Sequence, residues 1–542
     1  MASLVEVVVP LGPRLSDYEA DPRLTYAVRD MCDNGNMLAL EMRQLRRQPR
    51  MIMVNSTGKG GGVAEVLPSN VQVLRRMGFE AYWLVLTPDD DRKSRFFNLT
   101  KRLHRLLHGY VAEDGSRDVI TEQDVADYEA VTRAAADELV SQVADGDIVV
   151  LHDPQTIGMA PRLRALNDNV VIVFRCHIGS DEANEASRAG WDFLRPYVQC
   201  ADKSVFSATE YIPSFLTTRA VVIPPGIDPT DSKNRELSPP DVTNILANAG
   251  LIRPHHPLCT RSYRATVRRV HADGTFGSAI DPDEFGFLFR PIITQVSRWD
   301  ELKGWMPLFR AFVRLKRDQH LYLSSRRQKR SRERHACLLA SVRLVLAGPD
   351  PGSIQDDPDA GAVLRELCDE YAKLDRDIQE QIAILSLPME SRKENALIVN
   401  ALHRCSLVEL PAIVMQNSIK EGWGLSCTEA MLKGLPVIST RACGIRQQIN
   451  DGIEGRLVQD PNDVEELAQT MSDALKNLKQ SEAQGVKARR RVFQDFTMFR
   501  VIIKWCELWR RLVDEKRIAL SCADGYPSTA TTTDDESMTE RD

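Results

Sequence analysis

No apolar run in this 542-residue sequence approaches a membrane span. The longest, such as Val170–Phe174, are about five residues, against the roughly 18 needed to cross a bilayer. Charge of one sign is also missing. With 70 Lys+Arg against 76 Asp+Glu the net charge is −6, which argues against a general attraction to a nucleic-acid backbone. None of the 11 cysteines forms a CxxC pair. An odd, scattered count in a large chain points to free thiols in a reducing compartment. The N-terminus lacks a basic stretch and carries four acids by position 21, unlike a transit peptide. These absences predict a cytoplasmic protein with no membrane or nucleic-acid partner, and the length implies two or three domains.

What is present is an alternation of short apolar runs with amphipathic stretches. MIMVN at 51–55 reads as a buried parallel strand. STGKGGG follows, then a helix with apolar Val63, Val66, Leu67, Val71 and Leu74 that ends at Gly78. Further strands are expected at 81–86, 147–153, 170–177, 203–208 and 220–226. The pattern stops near Pro229 and resumes at 291–298, 343–348, 382–388, 412–418, 435–440 and 455–460. Strands alternating with helices make a parallel sheet covered on both faces. The chain therefore reads as α/β, with two Rossmann-like domains facing a cleft, and ligands are expected beyond the carboxyl ends of the strands.

The expected organisation is a first domain over 1–230, an irregular linker or insertion over 231–290, and a second domain over 291–485. A last helix region at 486–520 carries Trp505 and Trp509, and 521–542 is an acidic tail read as disordered. Residues 318–341, with RRQKRSRER at 326–334, read as a solvated loop in preference to a localisation or polyanion-binding segment.

Three places carry residues suited to chemistry. The glycines of GKGGG (58–62) open a helix after a strand, where backbone N–H groups can approach a phosphate or a sugar; a tight strand–helix turn explains them equally well. SRWDELKGW sets Arg298 and Lys303 past a strand end, near the start of a helix. Cations are disfavoured there by the helix dipole, and a fork plus a point charge suits a diphosphate. KEGWGLSCTEAM sets Glu421 and Glu429 on either side of a Gly-Trp-Gly turn, a carboxylate pair able to hold hydroxyls; a capping glutamate and an exposed one is the plainer alternative. His104, His108 and His403 read as structural or solvent-facing. No His/Cys cluster has metal-ligand spacing, and DDD at 89–91 and DPD at 281–283 and 357–359 lie in turn-rich stretches.

EGWGLSCTEAM with GLPVIST resembles the motif of retaining, nucleotide-sugar-dependent glycosyltransferases of family 4, which have the GT-B fold. VNSTGKGGGVAEVL, FFNLTKRLHRLLHG, VLHDPQTIGMAPRL, FRCHIGSDEAN, WDFLRPYV, PPGIDPTDSKNREL and ENALIVNALHR look like the trehalose synthase and trehalose phosphorylase branch, over about 51–515. The resemblance implies that the first domain is the acceptor side, that the second takes the nucleotide sugar, and that the last helix crosses back to the first domain. It implies that Arg298 and Lys303 neutralise the leaving diphosphate and that Glu421, with the amides of Gly422, Trp423, Gly424 and Leu425, holds the transferred glucose. Glu429 would hold the ribose, His177 would contact the glucose, and Gly61 and Gly62 would let the loop close. Asp153, His152 and Lys101 would line the acceptor pocket. Arg105, the stretch 318–341 and ELP at 409–411 depart from the family pattern.

The reaction implied is trehalose formation from an NDP-glucose and glucose, with no cofactor and no metal. The partners are small-molecule sugars, with a homodimer allowed for. The main alternative is a phosphorylase giving glucose and α-glucose 1-phosphate; an inactive sugar-nucleotide-binding protein is the alternative of another class. Hinges are expected after Pro229 and around 486–498.

Overall fold

The computed structural model describes residues 2–523 except 44, 46, 60, 112–114, 254–262, 281–284, 323–328, 355–356, 358 and 407–411. Two sheets organise the chain. The first runs in the order β1 (Ser3–Glu6), β3 (Ala81–Thr87), β2 (Met51–Asn55), β4 (Ile148–His152), β5 (Val171–Arg175), β6 (Lys203–Phe206), β7 (Ala220–Val222). All its pairings are parallel except β1 with β3. β2, β4 and β5 are buried along their whole length, which is why they read as unbroken apolar runs.

The second sheet runs β15 (Arg456–Val458), β14 (Val437–Thr440), β13 (Ala412–Gln416), β10 (Ile292–Val296), β11 (Arg343–Pro349), β12 (Ile382–Leu387), β8 (Arg268–Val270), β9 (Phe276–Ser278). Its last two members correct the sequence reading. The stretch 231–290 is not an irregular linker: it supplies the helix Pro239–Asn248 and the antiparallel strands β8 and β9 to the sheet edge. Val242, Leu246, Val267 and Phe287 from this stretch share a core with Ile292, Val345 and Leu385.

The segment expected as a solvated loop is largely helical. Lys329–Ser341 is a helix whose His335, Leu338 and Leu339 are buried. The buried Lys316 ammonium donates to the carbonyls of Leu339 at 2.6 Å and Ala340 at 2.9 Å, closing the helix end. The run 89–91 also has a structural explanation, since Asp89 caps the helix Asp90–Leu107 by accepting from the Arg92 amide. Residues 409–411, 281–283, the middle of 357–359 and the tail from 524 lie outside the described residues.

The chain passes between the domains twice, at neighbouring points. The Ile227 amide donates to the Phe496 carbonyl at 3.0 Å, and the Met498 amide to the Ile227 carbonyl at 2.9 Å. The first crossing thus lies just before Pro229. In place of one continuous last helix there are two, Leu478–Arg491 and Met498–Ala523, separated by a wider turn and by Thr497 in extended conformation. That break frees backbone groups to pair with Ile227. The last helix packs on the first domain: Phe499, Ile502, Trp505 and Trp509 share a core with Tyr18, Val28, Met31 and Met53. Arg500 pairs with Asp30 at 2.8 Å and Arg510 with Glu41 at 2.7 Å. Among the described residues no helix is long and apolar enough to cross a membrane.

Candidate active site

A cleft of about 290 Å³ lies between the carboxyl ends of the two sheets and is lined by both domains. Its second-domain wall begins at the end of β10, where Arg298 and Lys303 follow the strand. Lys303 closes a short turn, Glu301–Lys303, capped by Asp300. Gly304 then takes φ +59° with its Cα against the Asn417 carbonyl, a place that excludes any side chain.

Glu421 comes from the loop after β13. Lys303 Nζ lies 2.6 Å from Glu421 Oε2, and the Ser418 hydroxyl donates to the same oxygen at 2.9 Å. Burial alone would raise the Glu421 carboxyl, but Lys303 and Ser418 hold it below its ordinary value. Arg298 reaches within 4.0 Å of Asp357. Gly424, at φ +87°, starts the helix Leu425–Leu432, whose N-terminus borders the cleft. Trp423 is among the residues lining the cleft, with its ring buried against Phe496 and Nε1 donating to Thr428.

The first-domain wall is built at the ends of β4 and β5. Asp153 sits at φ +63° and accepts from the His177 amide at 2.7 Å. Burial pushes its carboxyl up to about 7. His152 Nδ1 and His177 Nε2 are 3.1 Å apart with their rings stacked, so one nitrogen donates and the other accepts. Burial, with Arg175 adding to it, pulls His152 down to about 3 and His177 well below the ordinary imidazole value. Both rings are neutral at physiological pH. Gly61, at φ +106°, starts the helix Gly62–Arg76, and Gly62 abuts Leu425 of the other domain.

Two groups of residues fall elsewhere than expected. Lys101 is absent from the cleft lining. Its ammonium is buried between Asp300 and Asp357, an ion triad joining the domains, and Arg105 beside it pairs with Asp118 and with Asp359 of the second domain. Conversely His104 and His108, read as structural or solvent-facing, line the cleft. They lie one turn apart on Asp90–Leu107 and its C-cap, with ring centroids 4.6 Å apart. His108 Nδ1 is 2.9 Å from the Gly179 carbonyl, and burial lowers its pKa to about 4. His403 is buried away from the cleft, as expected.

Glu429 lines a smaller adjoining cavity of about 80 Å³, together with Glu65, Lys233 and Asn395. Lys233 lies 3.2 Å from Glu429 Oε1 and 2.7 Å from Glu65 Oε2. Nothing local in the sequence marks Lys233, because both partners are distant along the chain. Among the described residues no three His, Cys, Asp or Glu side chains are grouped to hold a metal.

Comparison with known proteins places this architecture. A family model described as "Trehalose synthase, N-terminal domain" matches residues 53–213, and one described as "Glycosyl transferases group 1" matches residues 287–491. The trehalose synthase of Pyrococcus horikoshii is 29% identical over 462 residues, covering 85% of this chain and 89% of that protein. The trehalose phosphorylase of Pleurotus sajor-caju is 25% identical over 440 residues, 78% of this chain and 52% of that longer protein. The structure of an α,α-trehalose-phosphate synthase (UDP-forming) from Burkholderia xenovorans superposes with a TM-score of 0.60 at 14% identity, covering 86% of this chain and 100% of that one. The chain is an enzyme of the glycosyltransferase class with the GT-B fold, and trehalose synthases and trehalose phosphorylases are among its relatives.

Proposed function

We propose that the protein transfers glucose from a nucleoside diphosphate glucose to free glucose, with retention of configuration, forming trehalose. The observation that carries this reading is the contrast between the two walls of the cleft. Arg298 and the Lys303–Glu421 pair line the second-domain wall. Among the described residues the first domain adds His104, His108, His152, His177, Asp153 and Glu65, and no Lys or Arg. A cationic wall suits the donor diphosphate, whereas a wall of imidazoles and carboxyls with no cation suits an acceptor without a phosphate.

In the reaction the bond from glucose C1 to the diphosphate oxygen breaks and the electron pair leaves with the diphosphate. Arg298 and Lys303 stabilise that charge in place of a metal. The acceptor hydroxyl oxygen bonds C1 on the face the leaving group vacates, and its proton passes to a phosphate oxygen. Glu421, held ionised by Lys303, accepts from hydroxyls of the transferred glucose, and the amides of Gly422, Trp423, Gly424 and Leu425 assist. Glu429 and its adjoining cavity support a donor that carries a ribose, which inorganic phosphate lacks; this favours synthase over phosphorylase.

Arg298→Ala tests the charge role. Losing one preorganised donor costs about 3 kcal/mol, or roughly a hundredfold in kcat. Wild-type turnover of every nucleotide-glucose by the purified variant would refute it.

A further inference from the structure

Resting on the nucleotide-sugar reading, we infer that Lys233 is a positioning residue for Glu429: it occupies one carboxylate oxygen and leaves the other to receive a ribose hydroxyl. Three observations lead there. Glu429 is 3% exposed, and its Oε2 is buried without a hydrogen-bond partner, while Oε1 faces Lys233 Nζ at 3.2 Å. A buried carboxylate oxygen beside a small cavity is costly unless a ligand donor completes it. Burial raises the Glu429 carboxyl, and Lys233 is the foremost group opposing that rise, with Lys433 also lowering it and Glu65 adding to it.

The second observation is that Lys233 is itself rigidly held. Its segment follows the first interdomain crossing and is pinned to the second domain, where the Asn400 amide donates to the carbonyls of Ser232 at 3.1 Å and Arg235 at 2.9 Å. The Asn234 side chain donates to the Asp228 carbonyl at 2.9 Å. A lysine on such a segment acts as a fixed charge with little rotamer freedom left to lose.

The third is the bridge to the first domain. The same ammonium lies 2.7 Å from Glu65, on the helix that Gly61 and Gly62 open. Lys233 therefore ties the glycine loop's helix to the ribose acceptor, so the donor's nucleoside end is fully held only with the domains together. Lys233 touches none of the reacting atoms in this scheme and acts through Glu429.

The test is Lys233→Met, with Lys233→Arg as the charge-conserving companion, in the full-length chain. KM for the nucleotide-glucose should rise about ten- to hundredfold, the loss of one hydrogen bond to a charged group, while kcat and the glucose KM stay within about threefold. Lys233→Arg should recover most of the donor affinity. Wild-type enzyme should also prefer the ribonucleotide donor over its 2′-deoxy counterpart, and Lys233→Met should lose that preference. An unchanged donor KM with the ribose preference intact would overturn the inference and leave the synthase reading standing. Wild-type enzyme that turns over no nucleotide-glucose would overturn both. Should Lys233→Met not fold, Lys233→Gln takes its place: a folded Lys233→Gln variant with the wild-type donor KM and ribose preference would likewise overturn it.

Discussion

Gly422 and His177 meet back to back across the interdomain cleft: a Cβ on Gly422 would stand 2.1 Å from the His177 carbonyl oxygen. That oxygen is backbone and cannot swing aside. The turn between the two motif glutamates therefore needs a glycine here because of the other domain, in addition to its own conformation. Tyr211 reinforces the contact, its hydroxyl donating to the Glu421 carbonyl at 2.8 Å.

Gly422→Ala should push the two walls apart by a fraction of an ångström to an ångström. Misplacement on that scale costs about a hundredfold in rate, and the overpacking itself costs about 1–3 kcal/mol. Steady-state kinetics beside a thermal melt check this. A variant within threefold of wild-type turnover would mean that the contact is not part of the active arrangement.

The Asp153 carboxyl titrates near 7 in the folded protein because of burial, against an ordinary value of 3.8. Between those values the folded chain holds a proton that the unfolded chain has lost, so this group makes stability fall as pH rises from about 4 to about 7. Asp153→Asn should remove that slope, read from denaturant melts across the range. Activity should run the other way: the ionised carboxylate accepts a hydroxyl better, so the wild-type glucose KM should fall as pH rises through about 7. A glucose KM flat from pH 6 to 8 would argue against Asp153 as an acceptor contact.

Much of the fold was legible because buried parallel strands are apolar along their whole length. MIMVN, VIVFR and IAILSL announce themselves for that reason. The edge strands do not: Ser3–Glu6, Arg268–Val270 and Phe276–Ser278 are short and partly exposed, and carry no such run. The site was legible where residues lie at strand ends, as Arg298, Lys303, Asp153 and His177 do. Lys101 was misplaced because its partners, Asp300 and Asp357, are 199 and 256 residues away, and no local pattern encodes such a pair. His104 and His108 were passed over because a histidine on a helix is ordinary until the opposing domain makes a wall of it.

The last helix carries a prediction about the first domain. Trp509 is 1% exposed within that domain's core, so Trp509→Ala should cost about 3–5 kcal/mol. Ending the chain after residue 485 should remove the entire contact, lowering the first domain's melting temperature and abolishing turnover. Differential scanning calorimetry with an activity assay checks both. An undisturbed first domain with normal turnover would show the helix to be dispensable.

The most direct test of the central claim is a product assay on the purified chain with a chelator present. UDP-, ADP- and GDP-glucose are each supplied with ¹³C-labelled glucose, and in a separate arm trehalose is supplied with inorganic phosphate. The anomeric signals are followed by NMR. The account predicts labelled α,α-trehalose from at least one nucleotide-glucose and no α-glucose 1-phosphate from the phosphate arm. Turnover confined to the phosphate arm would contradict it.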